Sequence, residues 1–156
     1  MMSEANPHTH AARAAKLAAA EAVGIDPGFI DRLVEQLYAR VREDELLGPV
    51  FAARIAHWPP HLARMKLFWG MILRGEGQFS GSPMALHIAI PGIEAPHFRR
   101  WLDLFEATLR DLEGDPAATA MVAARARSIA DSLLIGIRTQ RDNRRDPAAM
   151  KGLTHA

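Results

Sequence analysis

Residues 59–92 read PPHLARMKLFWGMILRGEGQFSGSPMALHIAIPG, and the fold class turns on them. Pro59-Pro60 open a helix that runs to about Leu73, because proline suits a first helical turn whose amides have no partners. The inward face of this helix is His61, Met65, Phe68, Trp69 and Ile72, stepping by three or four. Gly75, Gly77, Gly81 and Pro83 then make a loop that carries Phe79. A brief helical turn follows, Met84-Ala85-Leu86-His87-Ile88, closed by Pro91-Gly92. No alternation of period two interrupts the stretch, so it contains no strand signal.

The same helical grammar extends both ways. Asp26-Pro27 supplies a cap and a first-turn proline, and Ile30, Leu33, Val34, Leu37, Tyr38 and Val41 form an apolar stripe that fades by Asp44. Glu45 to Ile55 reads as a shorter helical or turn-like piece, interrupted around Gly48-Pro49. Pro96 starts a long helix with Phe98, Trp101, Leu102, Phe105, Leu109 and Leu112 inward, ended by Gly114. Asp115-Pro116 repeats the cap-and-proline start. The last helix runs to about Ile137, with Val122, Ala126, Ile129 and Leu133 sharing its face. The expected fold is all-α, a single irregular domain over residues 25–138. Residues 1–24 read as a flexible or partly helical extension, and 139–156 as a polar, disordered tail.

Composition excludes several classes of function. The 156 residues are one domain's worth at about 150 residues per domain. Lys and Arg number 19 against 18 Asp and Glu, a net charge of +1, which gives no electrostatic footprint for nucleic acid or an anionic membrane. The chain has no cysteine, which removes disulfides, thiolate metal sites and thiol nucleophiles. No run approaches about 18 consecutive apolar residues, so no membrane span is expected. Arg13, Lys16 and Glu21 break up the alanine-rich start, so it makes a poor secretory signal. Its two basic residues also fit an organelle transit peptide, but a cytoplasmic protein is the default.

Seven histidines are the main polar candidates. His8, His10 and His155 fall in the extensions, and His57 and His97 near helix starts suit surface or capping roles. His61 and His87 sit among large apolar neighbours, where a neutral imidazole needs partners. A satisfied core histidine is the simplest reading of either. His87 also stands on a short turn between a glycine-rich loop and Pro91-Gly92, an apolar-walled presentation suited to binding a flat cofactor through its metal. Zinc is disfavoured: Pro59 and Pro60 interrupt the His57–His61 spacing, and no acid completes His-Glu-x-x-His. There is also no nucleophile elbow, phosphate loop or dinucleotide fingerprint. Tyr38 and Trp101 offer an O–H and a donor-only N–H from two different helices.

In sequence order these pieces resemble the group III truncated haemoglobins. LVEQLYARVREDELLGPVF (33–51) is similar to that group's second helix and corner, with Tyr38 as distal tyrosine and Phe51 against the haem face. HLARMKLFWGMILRGEGQFSG (61–81) is similar to its distal helix and loop, with His61 as distal histidine and Trp69 as the aromatic over the haem. SPMALHIAIPGI (82–93) resembles the proximal segment, with His87 as iron ligand. HFRRWLDLFEATL (97–109) resembles the next helix, with Trp101 as the distal tryptophan. The paired-glycine motifs of the other two groups are absent, as expected, and Met65 stands at a pocket position where a branched aliphatic is commoner.

The resemblance implies a compact globin-like fold, two layers of paired helices in a two-over-two sandwich around haem b. His87 would bind the iron and donate from its other nitrogen to a carbonyl. Phe51, Phe68 and Trp69 would line the cofactor, and Arg64 would pair with a propionate. Tyr38, His61, Met65 and Trp101 would surround a diatomic ligand: dioxygen, carbon monoxide or nitric oxide. Nitric oxide detoxification or peroxidase-like turnover are the implied roles, drawing on an unidentified electron donor, and no catalytic residue is assigned. The rival from another class is a haem-free helical interaction or regulatory domain, with His61 and His87 in the core and the arginines at 138, 141, 144 and 145 as a docking tail.

Overall fold

The computed structural model describes residues 7–145, and all regular structure among them is helical. The helix α2 (Pro27–Glu43) is the centre of the packing. Asp26 caps it by accepting from the Phe29 amide at 2.7 Å, and Pro27 fills its first position. Its apolar stripe is buried from Phe29 to Val41, with Leu33, Val34, Leu37 and Val41 fully shielded from solvent. Against this face pack α3 (Leu47–Ala52), α4 (Trp58–Arg74) and α6 (Ala95–Leu112). The long α7 (Pro116–Arg145) lies on α6 and carries the short α5 (Pro83–Ile88). The pairs α2/α4 and α6/α7 form two helical layers.

The boundaries differ from the sequence reading in four places, each with a physical reason. Within residues 1–24, read as flexible or partly helical, residues 7–22 form a helix, α1 (Pro7–Ala22), packed on α4. Seven alanines between 11 and 20 favour it. Its end is tied down: Ala20 is fully buried, and Arg74 donates to Glu21 at 3.3 Å, to Glu76 at 2.8 Å and to the Ile25 carbonyl at 3.0 Å. Gly48-Pro49 does not interrupt its segment but forms the first turn of α3, where proline needs no amide partner. A Cβ at Gly48 would stand 2.9 Å from the Arg42 carbonyl oxygen, so the glycine permits the close approach of α3 to the end of α2.

At the end of α6 the left-handed residue is Glu113 (φ 50°), one position before the expected Gly114. Gly114 itself has no positive φ, and a Cβ there would make only an ordinary contact with the Phe29 ring at 3.4 Å. Finally, α7 continues past 138 to Arg145, so residues 139–145 of the expected disordered tail are helical. No proline or glycine stands between Ile137 and Arg145 to stop it. The remainder of that tail lies outside the described residues. Among the described residues, no helix is long and apolar enough to cross a membrane.

One carboxylate organises the corner between α2 and α3. Asp44 accepts from the Leu46 and Leu47 amides at 3.1 and 3.0 Å and from Arg100 of α6 at 2.6 Å. Burial alone would raise its pKa. The Leu47 amide, the Arg100 hydrogen bond and charge, and the Leu46 amide outweigh burial and hold it below the ordinary value.

Asp44→Ala is expected to lower the unfolding free energy by about 1–2 kcal/mol near pH 7, measured by urea denaturation. The depressed carboxyl contributes fully above about pH 4 and loses its contribution as pH falls through the folded value. The gap between wild type and variant should therefore close in strong acid; a gap independent of pH would deny the carboxylate this role. Glu113→Gly should act in the opposite sense, relieving left-handed strain and raising stability by up to about 1 kcal/mol, visible as a higher Tm.

Candidate functional site

The described core has two parts. The larger joins α2 to α3, α4 and α6 through residues including Leu37, Tyr38, Trp69 and Phe105. The smaller is built on Ile93, Phe98, Ala130, Leu133 and Ile137, with Met84 and Ile88 of α5 packed against it. Leu102 and Ile129 touch both. The candidate residues divide across this boundary.

On the smaller side stands His87. Ser82 caps α5 by accepting from the Ala85 amide at 3.2 Å, and Pro83 occupies its first turn. Pro83's carbonyl lies 2.7 Å from His87 Nδ1. A carbonyl only accepts, so Nδ1 carries the proton, and the neutral ring then has its lone pair on Nε2. The ring is half-buried and tilted against Phe98, with centroids 6.4 Å apart. Met84, on the same short helix, sits where α7 has Gly136; a Cβ there would lie 2.3 Å from Met84 Sδ. The missing side chain thus lets α5 lie close on α7.

Three helices meet on the other side. Tyr38 of α2 is 5% exposed. Burial pushes its phenol well above the usual range, opposed in part by a hydrogen bond from Trp101 of α6. The indole N–H only donates, so it is spent on the Tyr38 oxygen, and the phenol retains its own proton to donate elsewhere. His61 of α4 meets Tyr38 edge-on, with centroids 5.3 Å apart at 90°. Burial and the charge of Arg64 lower its pKa, which favours the neutral ring. His61 Nε2 is buried and has no hydrogen-bond partner. An orphan of this kind costs about 1–3 kcal/mol unless something in the pocket satisfies it.

Phe51 completes the wall at 5.8 Å from Tyr38. Behind it an aromatic series runs Trp101, Phe105, Trp69, Phe68, Phe79, with successive centroids 5.1–5.4 Å apart. Trp69 is 1% exposed, part of the larger core. Phe68 and Met65 are half-buried on that core. Arg64 is exposed, lies over the Phe79 ring at 5.5 Å and donates to the Ser80 carbonyl at 3.3 Å. The structure therefore brings together Tyr38, His61, Trp101 and Phe51. It leaves Arg64 at the rim with the loop and puts His87 on a separate element.

The sequence reading missed Trp58. This residue opens α4 and contacts Tyr38, Phe51 and His61 at 5.9, 6.3 and 5.5 Å, with the Arg42 guanidinium 4.6 Å from its ring. The available signal was its spacing: it lies three residues before His61, hence on the same helix face.

The donor set tests what the site would hold. Among the described residues no three His, Asp or Glu side chains gather to bind a metal ion. A single imidazole with a free lone pair suits a metal whose remaining positions arrive already filled, as in haem. On other elements, the orphaned His61 nitrogen and the Tyr38 proton suit a small polar guest. The residues present fit haem. Two surface cavities of about 330 and 370 Å³ flank α7, the first starting one residue after His87, and neither is lined by Tyr38, His61 or Trp101. The donor set, not the cavities, locates the site.

Comparison with known proteins identifies the family and the fold. The family model described as bacterial-like globin matches residues 18–133. The group 3 truncated haemoglobin of Campylobacter jejuni is 37% identical over 89 residues, spanning 54% of this chain and 70% of that protein. The crystal structure of a group III truncated haemoglobin from the same organism superposes with a TM-score of 0.68 at 31% identity, covering 72% of this chain and 91% of the other. A 2/2 haemoglobin from Synechococcus shares the fold at a TM-score of 0.64 and 21% identity, covering 76% and 95% of the respective chains. This chain belongs to the bacterial-like globin family, as a truncated haemoglobin of the group III type.

Proposed function

We propose that the protein holds haem b through His87 Nε2 and reversibly binds dioxygen, carbon monoxide or nitric oxide beside Tyr38, His61, Met65 and Trp101, with the cytoplasm as its compartment. The observation that carries this reading is the 2.7 Å hydrogen bond that fixes the His87 tautomer, set against a buried distal group with a proton to give. Haem would supply the iron centre at which a diatomic ligand binds. Phe51, Phe68 and Trp69 would line it, and Arg64 at the rim would pair with a propionate.

The chain's own residues then have distinct tasks. Pro83 orients His87 through Nδ1, leaving Nε2 as the ligating atom. Trp101 donates to the Tyr38 oxygen, which aligns the phenol and strengthens it as a donor. With its pKa raised by burial, Tyr38 keeps its proton throughout the physiological pH range. A polar donor cage that retains dioxygen suits redox work more than transport. Nitric oxide detoxification or peroxidase-like turnover fit it, with electrons from a separate donor.

Purified protein titrated with haem is expected to show a Soret band at one haem per chain that shifts with carbon monoxide after reduction. His87→Ala should lose or strongly change that band. A folded wild type that takes up no stoichiometric haem would overturn the reading in favour of a haem-free interaction domain. Tyr38→Phe should speed dioxygen release by about 10–100-fold, the equivalent of a charge-assisted hydrogen bond of about 1.5–3 kcal/mol. Trp101→Phe should have a smaller effect, because the indole acts through the phenol. Stopped-flow displacement of dioxygen by carbon monoxide measures both, and a larger effect at Trp101 would reverse the assigned order of donors.

A further inference from the structure

We propose that Trp58, clamped by Arg42, is the positioning residue that holds the His61 ring inside the distal pocket and so controls access to it. The consequence for ligand access rests on the haem reading above; the packing argument comes from side-chain geometry. His61 is only half-buried, yet its Nε2 is shielded from solvent without a hydrogen-bond partner. An imidazole free to turn would point that nitrogen at water, because a buried polar atom without a partner is disfavoured. Something must therefore hold the ring inward.

The two rings against it are Tyr38 at 5.3 Å and 90°, and Trp58 at 5.5 Å and 89°. Tyr38 is buried on α2 and forms the inner wall. Trp58 is half-buried at the first position of α4, one helical turn before His61. Such a residue at a helix start frays readily unless it is held from outside its own helix. Two groups hold it. Phe51 of α3 stacks with it at 6.3 Å and 23°, and the Arg42 guanidinium from the end of α2 stands 4.6 Å from its ring centroid. The charged and titratable groups around His61 are Arg64 on its own helix, Tyr38 across the pocket and Arg42 beyond the indole. Neither arginine hydrogen-bonds His61 Nε2, so neither compensates for its burial.

The test compares haem-loaded wild type with Trp58→Ala, Trp58→Phe, Arg42→Met, His61→Ala and the Trp58→Ala/His61→Ala double variant. The first measurement is bimolecular carbon monoxide recombination after flash photolysis. Trp58→Ala is expected to speed it about tenfold, His61→Ala to a similar degree, and the double variant no further, because coupled residues are non-additive. Trp58→Phe should stay near wild type and Arg42→Met should fall between. The second measurement is the His61 ring titration followed by NMR in the diamagnetic carbon monoxide complex. In wild type its midpoint should lie below the ordinary value, and in Trp58→Ala it should return to about 6.5 as the ring turns outward. Additive rate effects, or a His61 midpoint unmoved by Trp58→Ala, would overturn the proposal, because Trp58 would then act as wall alone. Failure of the wild type to take up one haem per chain would instead sink the haem reading, and the access role with it.

Discussion

The burial of one face of α2 places everything else. Seven side chains from Phe29 to Val41 lie in the core, and each of the large aliphatic ones contributes about 1.5–3 kcal/mol by leaving water. Because α3, α4 and α6 all pack against that face, their side chains converge on whichever α2 residue stands where they meet, and that residue is Tyr38. Phe51 arrives from α3, Trp58 and His61 from α4, and Trp101 from α6. Its phenol is thus a polar group that the apolar packing itself has walled in, and the Trp101 indole that donates to it cannot accept in return.

The opposite side is constructed on another principle. At six residues with none fully buried, α5 is too short to be stable by its own hydrogen bonds. It is held by the Ser82 cap, by Pro83 in its first turn, and by Met84 and Ile88 lying on the smaller core. Local opening should therefore cost far less at α5 than at α2. The tautomer of His87 is set within the short helix, between residues 83 and 87, so it survives small movements of that helix as a unit. Tyr38 thus stands on a tightly packed helix and His87 on a loosely held one.

Much of this was legible in the sequence, for reasons specific to each element. The stripe from Ile30 to Val41 and the Asp26-Pro27 start are local signals, and the structure reproduces both. The turn carrying His87 was legible because proline and glycine bracket it. The N-terminal helix was legible only as one alternative, because alanine propensity alone does not specify a helix; the Arg74 clamp that secures it joins residues some fifty positions apart. The left-handed Glu113 was obscured by its glycine neighbour, which itself has no positive φ. Tyr38 and Trp101 could be singled out as donors from sequence, but not the direction of the bond between them. Trp58 escaped notice because a residue before two prolines reads as a linker, and its partners Arg42 and Phe51 become neighbours only when α3 folds back on α2.

The seat of α5 on α7 has a consequence for how this sequence can drift. Glycine at 136 forgoes about 1 kcal/mol of helix propensity relative to alanine, and the space released is filled by the sulfur end of Met84. That end is the most adaptable of the apolar side chains. A methyl group gained at 136 would first displace the thioether, and only then press on the helix bearing His87. Positions 84 and 136 therefore share one volume, and in related chains they should change together: a larger residue at 136 calls for a shorter one at 84.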